Sequence, residues 1–167
     1  LDLSSFNTSL VESMINMFAS SGLQSITFGE SFNTNNVTSM LRMFENCSAL
    51  TTLDLSFFNT SKVTNMARMF NGCSSLTTLN LSSFTAAENM GSMSQMFNEC
   101  GKLEELHLEN FDPTTTNEAH YYWMFYVGSE LEDPKRTKIY VATPNPFINY
   151  ETHINNGKAD FIVQNNL

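Results

Sequence analysis

Charge is what this sequence has least of. Only 15% of its 167 residues are charged, where globular chains average near 25%. Positive charge is the scarcer kind: 8 Lys and Arg face 17 Asp and Glu, for a formal net charge of −9. No cluster of Lys or Arg could neutralise a row of phosphates, which argues against nucleic acid as a partner. Anionic membrane surfaces are disfavoured for the same reason. Long apolar runs are missing too. Nothing approaches the ~20 residues that span a bilayer, so no direct membrane insertion of this segment is expected. Leu1 already falls inside a repeat, so a targeting segment would precede it and its absence here is uninformative. Glycine is sparse, at 7 residues, and cysteine numbers only 3. An odd count without a short-spaced pair gives no disulfide framework for Cys47, Cys73 and Cys100. Nor do they show the clustered spacing of zinc ligands.

What remains is apolar or uncharged. Apolar residues make up 41% of the chain, with 14 Phe and 10 Met, and Ser, Thr and Asn fill the polar positions. These residues are ordered by internal repetition, the first property to test because it changes every later reading. Leu53-Asp54-Leu55-Ser56-Phe57-Phe58-Asn59-Thr60 matches Leu1-Asp2-Leu3-Ser4-Ser5-Phe6-Asn7-Thr8 almost residue for residue. Leu79-Asn80-Leu81-Ser82-Ser83-Phe84 is a third copy, and Ile26-Thr27-Phe28 and Leu106-His107-Leu108 are degenerate ones. The starts at 1, 26, 53, 79 and 106 give a period of 25 to 27 residues. The second half of each unit repeats as tightly. Met14, Met17 and Phe18 recur as Met40, Met43 and Phe44, as Met66, Met69 and Phe70, and as Met93, Met96 and Phe97. Tyr121, Met124 and Phe125 close the series, and the three cysteines each follow the Phe by three residues.

The Leu-x-Leu element alternates with period two, as a short strand does. Val63, Met66, Met69 and Phe70 are spaced as one face of a two-turn helix, with Asn59, Thr60 and Ser61 placed to cap it. Each unit therefore predicts a strand, a corner and a short helix, and the fold class α/β. A unit this small cannot bury enough surface alone, whereas stacked units align their Leu, Phe, Met and Cys into one core and their strands into a parallel ladder. Five units are expected over residues 1–137. Lys138-Ile139-Tyr140-Val141 and Phe161-Ile162-Val163 read as further strands within a capping segment, residues 138–167. No comparable cap precedes Leu1, which leaves further repeats upstream, or self-association at that edge, to cover the first unit.

Leu-Asp-Leu-Ser-Ser-Phe-Asn-Thr-Ser, Val-Thr-Asn-Met-x-x-Met-Phe and Gly-Cys-Ser-Ser-Leu-Thr-Thr resemble the BspA-like type of bacterial leucine-rich repeat, over residues 1 to about 131. The resemblance implies a leucine-rich-repeat-like, right-handed solenoid on the extracellular side of the cell surface. It implies adhesion through a host or matrix protein or glycan and offers no shared catalytic residues to carry over; no metal or cofactor is expected from the residues themselves.

The residues themselves point the same way. The methionines sit on the apolar stripe, where core packing outweighs soft-metal binding. In a stack the cysteines become inward-facing free thiols. His107, beside Glu104 and Glu105, has no accompanying nucleophile or metal motif. The cluster His120-Tyr121-Tyr122-Trp123 mixes packing with a possible aromatic anchor. No unit departs from the repeat in a way that assembles a pocket, so no enzyme is expected. The outward strand positions form a polar face whose candidate binding residues are Thr52, Asp54, Thr78, Asn80, Glu105, His107 and Tyr140. A passive spacer holding another domain away from the cell wall is the alternative.

Overall fold

Six short strands, all paired in parallel, line one side of the chain in the computed structural model, which describes residues 1–112, 124, 137–141 and 159–163. β1 (Asp2–Leu3) pairs with β2 (Thr27–Phe28). β3 (Thr78–Asn80), β4 (Glu105–Leu108), β5 (Thr137–Val141) and β6 (Ala159–Val163) follow one another in a second sheet. Register keeps like beside like: Leu79 faces Leu106, which faces Ile139. Leu79, Leu106 and Ile139 are buried while Thr78 and Asn80 are exposed, as period-two alternation requires. The strands expected at 138–141 and 161–163 are both present, and they extend the ladder to its last described rung.

The short helices predicted for the first four units do not form. No α-helix occurs among the described residues. The Met-x-x-Met-Phe stretch instead runs as successive turns, joined from coil to coil by a second parallel ladder. Ser13, Ser39, Asn65 and Ser92 bridge in that order. The N–H groups of Met14, Asn16, Phe18 and Ser20 donate to the carbonyls of Ser39, Leu41, Met43 and Glu45 one coil on. The N–H groups of Met17, Ala19 and Ser21 close turns onto residues three back. A two-turn helix is too short to persist by itself, and here every second donor finds its acceptor in the neighbouring coil. The path needs positive φ twice per coil, at Asn16 and Ser20, Arg42 and Asn46, Arg68 and Gly72, and Gln95 and Glu99. Left-handed backbone costs non-glycine residues about 1–2 kcal/mol each, which the inter-coil hydrogen bonds must outweigh. The Asn59-Thr60-Ser61 corner caps no helix either: Asn59 Oδ1 accepts the Ser61 N–H at 3.0 Å as an Asx turn.

The side chains of this half fill the shared interior. Phe18, Phe44, Phe70 and Phe97 stack ring on ring, with centroids 5.3, 5.6 and 5.7 Å apart. Phe32, Phe58 and Phe84 form a second column at 6.2 and 6.3 Å. Met40, Met43, Met66, Met69, Met93 and Met96 pack among them with no exposed surface. Cys47, Cys73 and Cys100 are free and buried, and each donates its S–H to the carbonyl of the preceding coil's Phe18, Phe44 or Phe70 at 3.1 to 3.2 Å. Burial holds the Cys73 thiol far above the usual range, and pushes the Cys100 thiol up to about 12. These sulfurs stay protonated donors and are poor nucleophiles.

Buried threonines stitch the coils together. The Thr34 hydroxyl donates to the Asn59 carbonyl at 2.9 Å and accepts the Asn59 N–H at 2.8 Å. Thr8 does the same to Asn33, and Thr60 to Thr85. The extra residue of the fourth coil lies between Phe84 and Ala87, and register is regained by Met90 and Gly91, whose N–H groups meet the Ala87 and Thr64 carbonyls as those of Val63 and Thr64 meet Thr60 and Thr38.

The strand ladder is not continuous. Leu53, Asp54 and Leu55, expected as a strand, pair with neither neighbour, and the two sheets are separated there. The preceding coil carries one extra residue in its corner, Gly29-Glu30-Ser31 against Ser4-Ser5, and Phe28 stands where other coils have Leu. Phe57 replaces the serine of Ser5 and Ser83. Its ring crosses Phe28 edge-on at 5.4 Å and also meets Phe32 and Phe58. The first coil is the other irregularity. Phe6 is 50% exposed and Met17 39%, whereas their equivalents Phe32, Phe58, Met43 and Met69 are at most 2% exposed.

Candidate functional site

The four-stranded sheet aligns the outward positions in register. Thr78 faces Glu105, which faces Lys138, and Asn80 faces His107, which faces Tyr140. Five of the candidate residues, Thr78, Asn80, Glu105, His107 and Tyr140, thus share one face of one sheet. Thr52 and Asp54 are exposed but lie in the unpaired third coil, outside that sheet.

Several of these side chains hold the backbone. Asp54 Oδ1 accepts the Ser56 N–H at 3.0 Å, and Asn80 Oδ1 accepts that of Ser82 at 2.9 Å. Asp2 and Ser4 make the same contact at 2.8 Å. Each is an Asx turn that ends the strand position and starts the corner. The Ser56 backbone N–H holds the Asp54 carboxyl below the usual carboxylate range, and Ser4 does so for Asp2. The Asp/Asn-Leu-Ser triplet carried this signal in the sequence, where the residues were read only as a face.

His107 is held from two sides. Its Nδ1 lies 2.7 Å from Glu109 Oε1, and its ring stacks on Tyr140 with centroids 4.5 Å apart and planes 7° from parallel. Its acid partner is therefore Glu109, two residues on, rather than the adjacent Glu104 or Glu105. Strand alternation puts residues 105, 107 and 109 on one face, and of the two glutamates there Glu109 is the one that meets the ring. The other Glu109 carboxylate oxygen, Oε2, is buried without a hydrogen-bond partner. The aromatic cluster His120-Tyr121-Tyr122-Trp123 and the segment Pro144 to Asn156 lie outside the described residues.

One unit does depart from the repeat to form a pocket, contrary to expectation. Where the ladder is interrupted, an open cleft of roughly 610 Å3 is lined by Ile26, Thr27, Phe28, Glu30, Asp54 and Phe57, with Asn33 and Asn35 at its side. Phe57 is 41% exposed. The extra residue at Gly29-Glu30-Ser31 and the Phe at position 57 were both visible in the sequence, but each looked like ordinary degeneracy until stacking set them side by side.

Repeating coils joined by parallel ladders, with a single interior of rings, thioethers and thiols, define a repeat protein of short strands and turns. The family model described as Mycoplasma protein of unknown function, DUF285, matches residues 1–111, and the chain belongs to that family. No curated protein and no solved structure matches the chain.

Proposed function

We propose that this chain is part of a leucine-rich-repeat-like, right-handed solenoid of the BspA-like kind, exposed extracellularly on a cell surface. It acts there as a non-catalytic binding module for a host or matrix protein or a glycan. The observation that carries this reading is the outward row of Thr78, Asn80, Glu105, His107 and Tyr140, aligned by strand register on a rigid sheet. Repeat proteins bind through such extended faces. A rigid face loses little entropy on association, and His107 is already fixed by Glu109 and Tyr140. The excess of negative charge disfavours nucleic acid. The nucleophilic groups of the interior, Cys73 and Cys100, are protonated and shut away from substrate. The exposed apolar side chains of the first coil would be covered by a preceding coil of the same pattern, or by another molecule.

The spacer reading has its own support. Asp54 and Asn80 use a side-chain oxygen to shape the chain itself, which leaves less of the face free for a ligand.

An array of host proteins and glycans separates the two. A binding module gives saturable binding that Thr52→Lys with Thr78→Lys weakens at least tenfold. Both positions are exposed and neither shapes a turn, so the unfolding midpoint should not move. Absence of saturable binding on the array leaves the spacer. Undiminished binding by the double variant places the contact on another surface.

A further inference from the structure

We propose that Glu109 sets the tautomer of His107, so that the strand face presents the imidazole Nε2 as an acceptor for a hydroxyl of a glycan. The inference rests on the strand-face reading and names the ligand chemistry of that face.

A paired departure from the repeat comes first. Three other coils carry Asp or Asn in mid-strand and Ser two residues on: Asp2 and Ser4, Asp54 and Ser56, Asn80 and Ser82. In each, the side-chain oxygen accepts the serine N–H and shapes the corner. The fifth coil has His107 and Glu109 at these two positions. Imidazole has no oxygen to make that turn, and the pair bonds side chain to side chain instead, Nδ1 to Oε1 at 2.7 Å. Stability does not account for the exchange. Only 21% of the Glu109 side chain is exposed, and its Oε2 is buried without a hydrogen-bond partner. Such an orphaned acceptor costs free energy, and a serine would avoid it.

The carboxylate decides which nitrogen carries the proton. An ionised carboxylate only accepts, so the neutral imidazole must hold its proton on Nδ1 and keep a lone pair on Nε2. Nε2 has no hydrogen-bond partner among the described residues, yet it is not sealed from water as Glu109 Oε2 is. The Tyr140 ring, stacked at 4.5 Å, steadies the imidazole plane and gives that lone pair a fixed direction.

The neighbouring rung supplies the complement. Register sets Asn80 beside His107. Asn80 Oδ1 is taken by the Ser82 N–H, and Asn80 Nδ2 donates to nothing among the described residues. A free donor thus stands next to a free acceptor. Neighbouring strands lie about 4.8 Å apart, and one hydroxyl oxygen about 2.8 Å from each group can bridge that gap. A hydroxyl donates and accepts at once, whereas a carboxylate has no proton for Nε2. A peptide backbone pairs with the edge of a sheet and not with the side-chain tips on its face. A glycan, which carries hydroxyls on adjoining carbons, meets both requirements.

Nitrogen-15 spectra of the His107 imidazole in mildly alkaline buffer test the tautomer without any ligand. The wild-type protein should hold the Nδ1–H form in about tenfold excess, the ratio that a hydrogen bond to a charged group supports. Glu109→Ser should lose that excess. Its unfolding midpoint should not move, because serine is the residue found at Ser4, Ser56 and Ser82. Tyr140→Leu should keep the excess, since it removes the stack and leaves the carboxylate. A glycan array then tests the face, and saturable binding should weaken about fivefold in Glu109→Ser. The proposal is overturned if the wild type carries the proton on Nε2, if Glu109→Ser keeps the wild-type ratio, if Tyr140→Leu loses it, or if glycan binding by Glu109→Ser is undiminished. Capture of proteins alone on the array would overturn the glycan assignment. Absence of any saturable binding would remove the strand-face reading and the hydroxyl with it. The imidazole spectra would still report on Glu109, so the two failures are seen apart.

Discussion

Replacing Phe70 with alanine is expected to remove about 3–5 kcal/mol of folding stability, the range for truncating a buried aromatic. Phe70 has no exposed surface and lies between Phe44 and Phe97, its plane within 6° and 3° of theirs. The cavity cannot collapse easily, because the hydrogen bonds from Phe44 N–H to Met69 and from Phe70 N–H to Met96 fix the coil spacing on both sides. The consequence should also be spatial. Coils contact only their neighbours, so a defect at the middle of a column uncouples the two halves. Guanidinium unfolding measures the loss, and hydrogen exchange should show separate protection on the two sides of coil three. Phe6→Ala supplies the contrast. Its ring is 50% exposed in the first coil, so its loss should be below about 1 kcal/mol. Equal effects at the two positions would mean the columns do not carry the core.

Thr34→Val should cost about 2–4 kcal/mol although it preserves shape and adds apolar surface. The hydroxyl serves both the N–H and the carbonyl of Asn59, and valine would leave both without a partner in a site where Thr34 is 1% exposed. Unmet backbone groups cost roughly 1–3 kcal/mol each when buried, and these are only partly so. Thr34→Ser keeps both contacts and loses a methyl, so it should recover most of the loss. Chemical denaturation of the pair reads the difference, and a neutral or stabilising valine would show that the threonine column is incidental.

The sequence reading succeeded where side-chain spacing alone decides. The 26-residue register placed Leu79 beside Leu106 and Asn80 beside His107, and it placed the methionines and thiols inside. It failed where the path of a hydrogen bond decides. Apolar residues three and four apart satisfy a helix, but they equally satisfy turns whose alternate N–H groups reach the next coil. The deciding features are the positive φ values at Arg42, Arg68 and Gln95, residue types that give no compositional warning. Asn16 and Asn46, which tolerate that conformation better, gave a faint one.

The candidate face was legible as a row but not as a set of roles. That Asp54 and Asn80 shape their own corners follows from Asp-Leu-Ser and Asn-Leu-Ser once such turns are looked for. That His107 shares a face with Glu105 and Glu109 follows from strand alternation, but which of the two it meets does not. The cleft was hidden for a different reason. Its walls, Glu30 in one coil and Phe57 in the next, are 27 residues apart, and neither is unusual within its own coil.

The claim on which the rest depends is that backbone amides in the Met-x-x-Met-Phe stretch bond to the next coil and not to their own. Couplings through hydrogen bonds, measured between amide nitrogens and carbonyl carbons in labelled protein, report this directly. The structure predicts a coupling from the Phe44 N–H to the Met69 carbonyl, and from the Phe70 N–H to the Met96 carbonyl. Couplings to Met40 and Met66 instead, four residues back, would mean isolated helices and would contradict the stack.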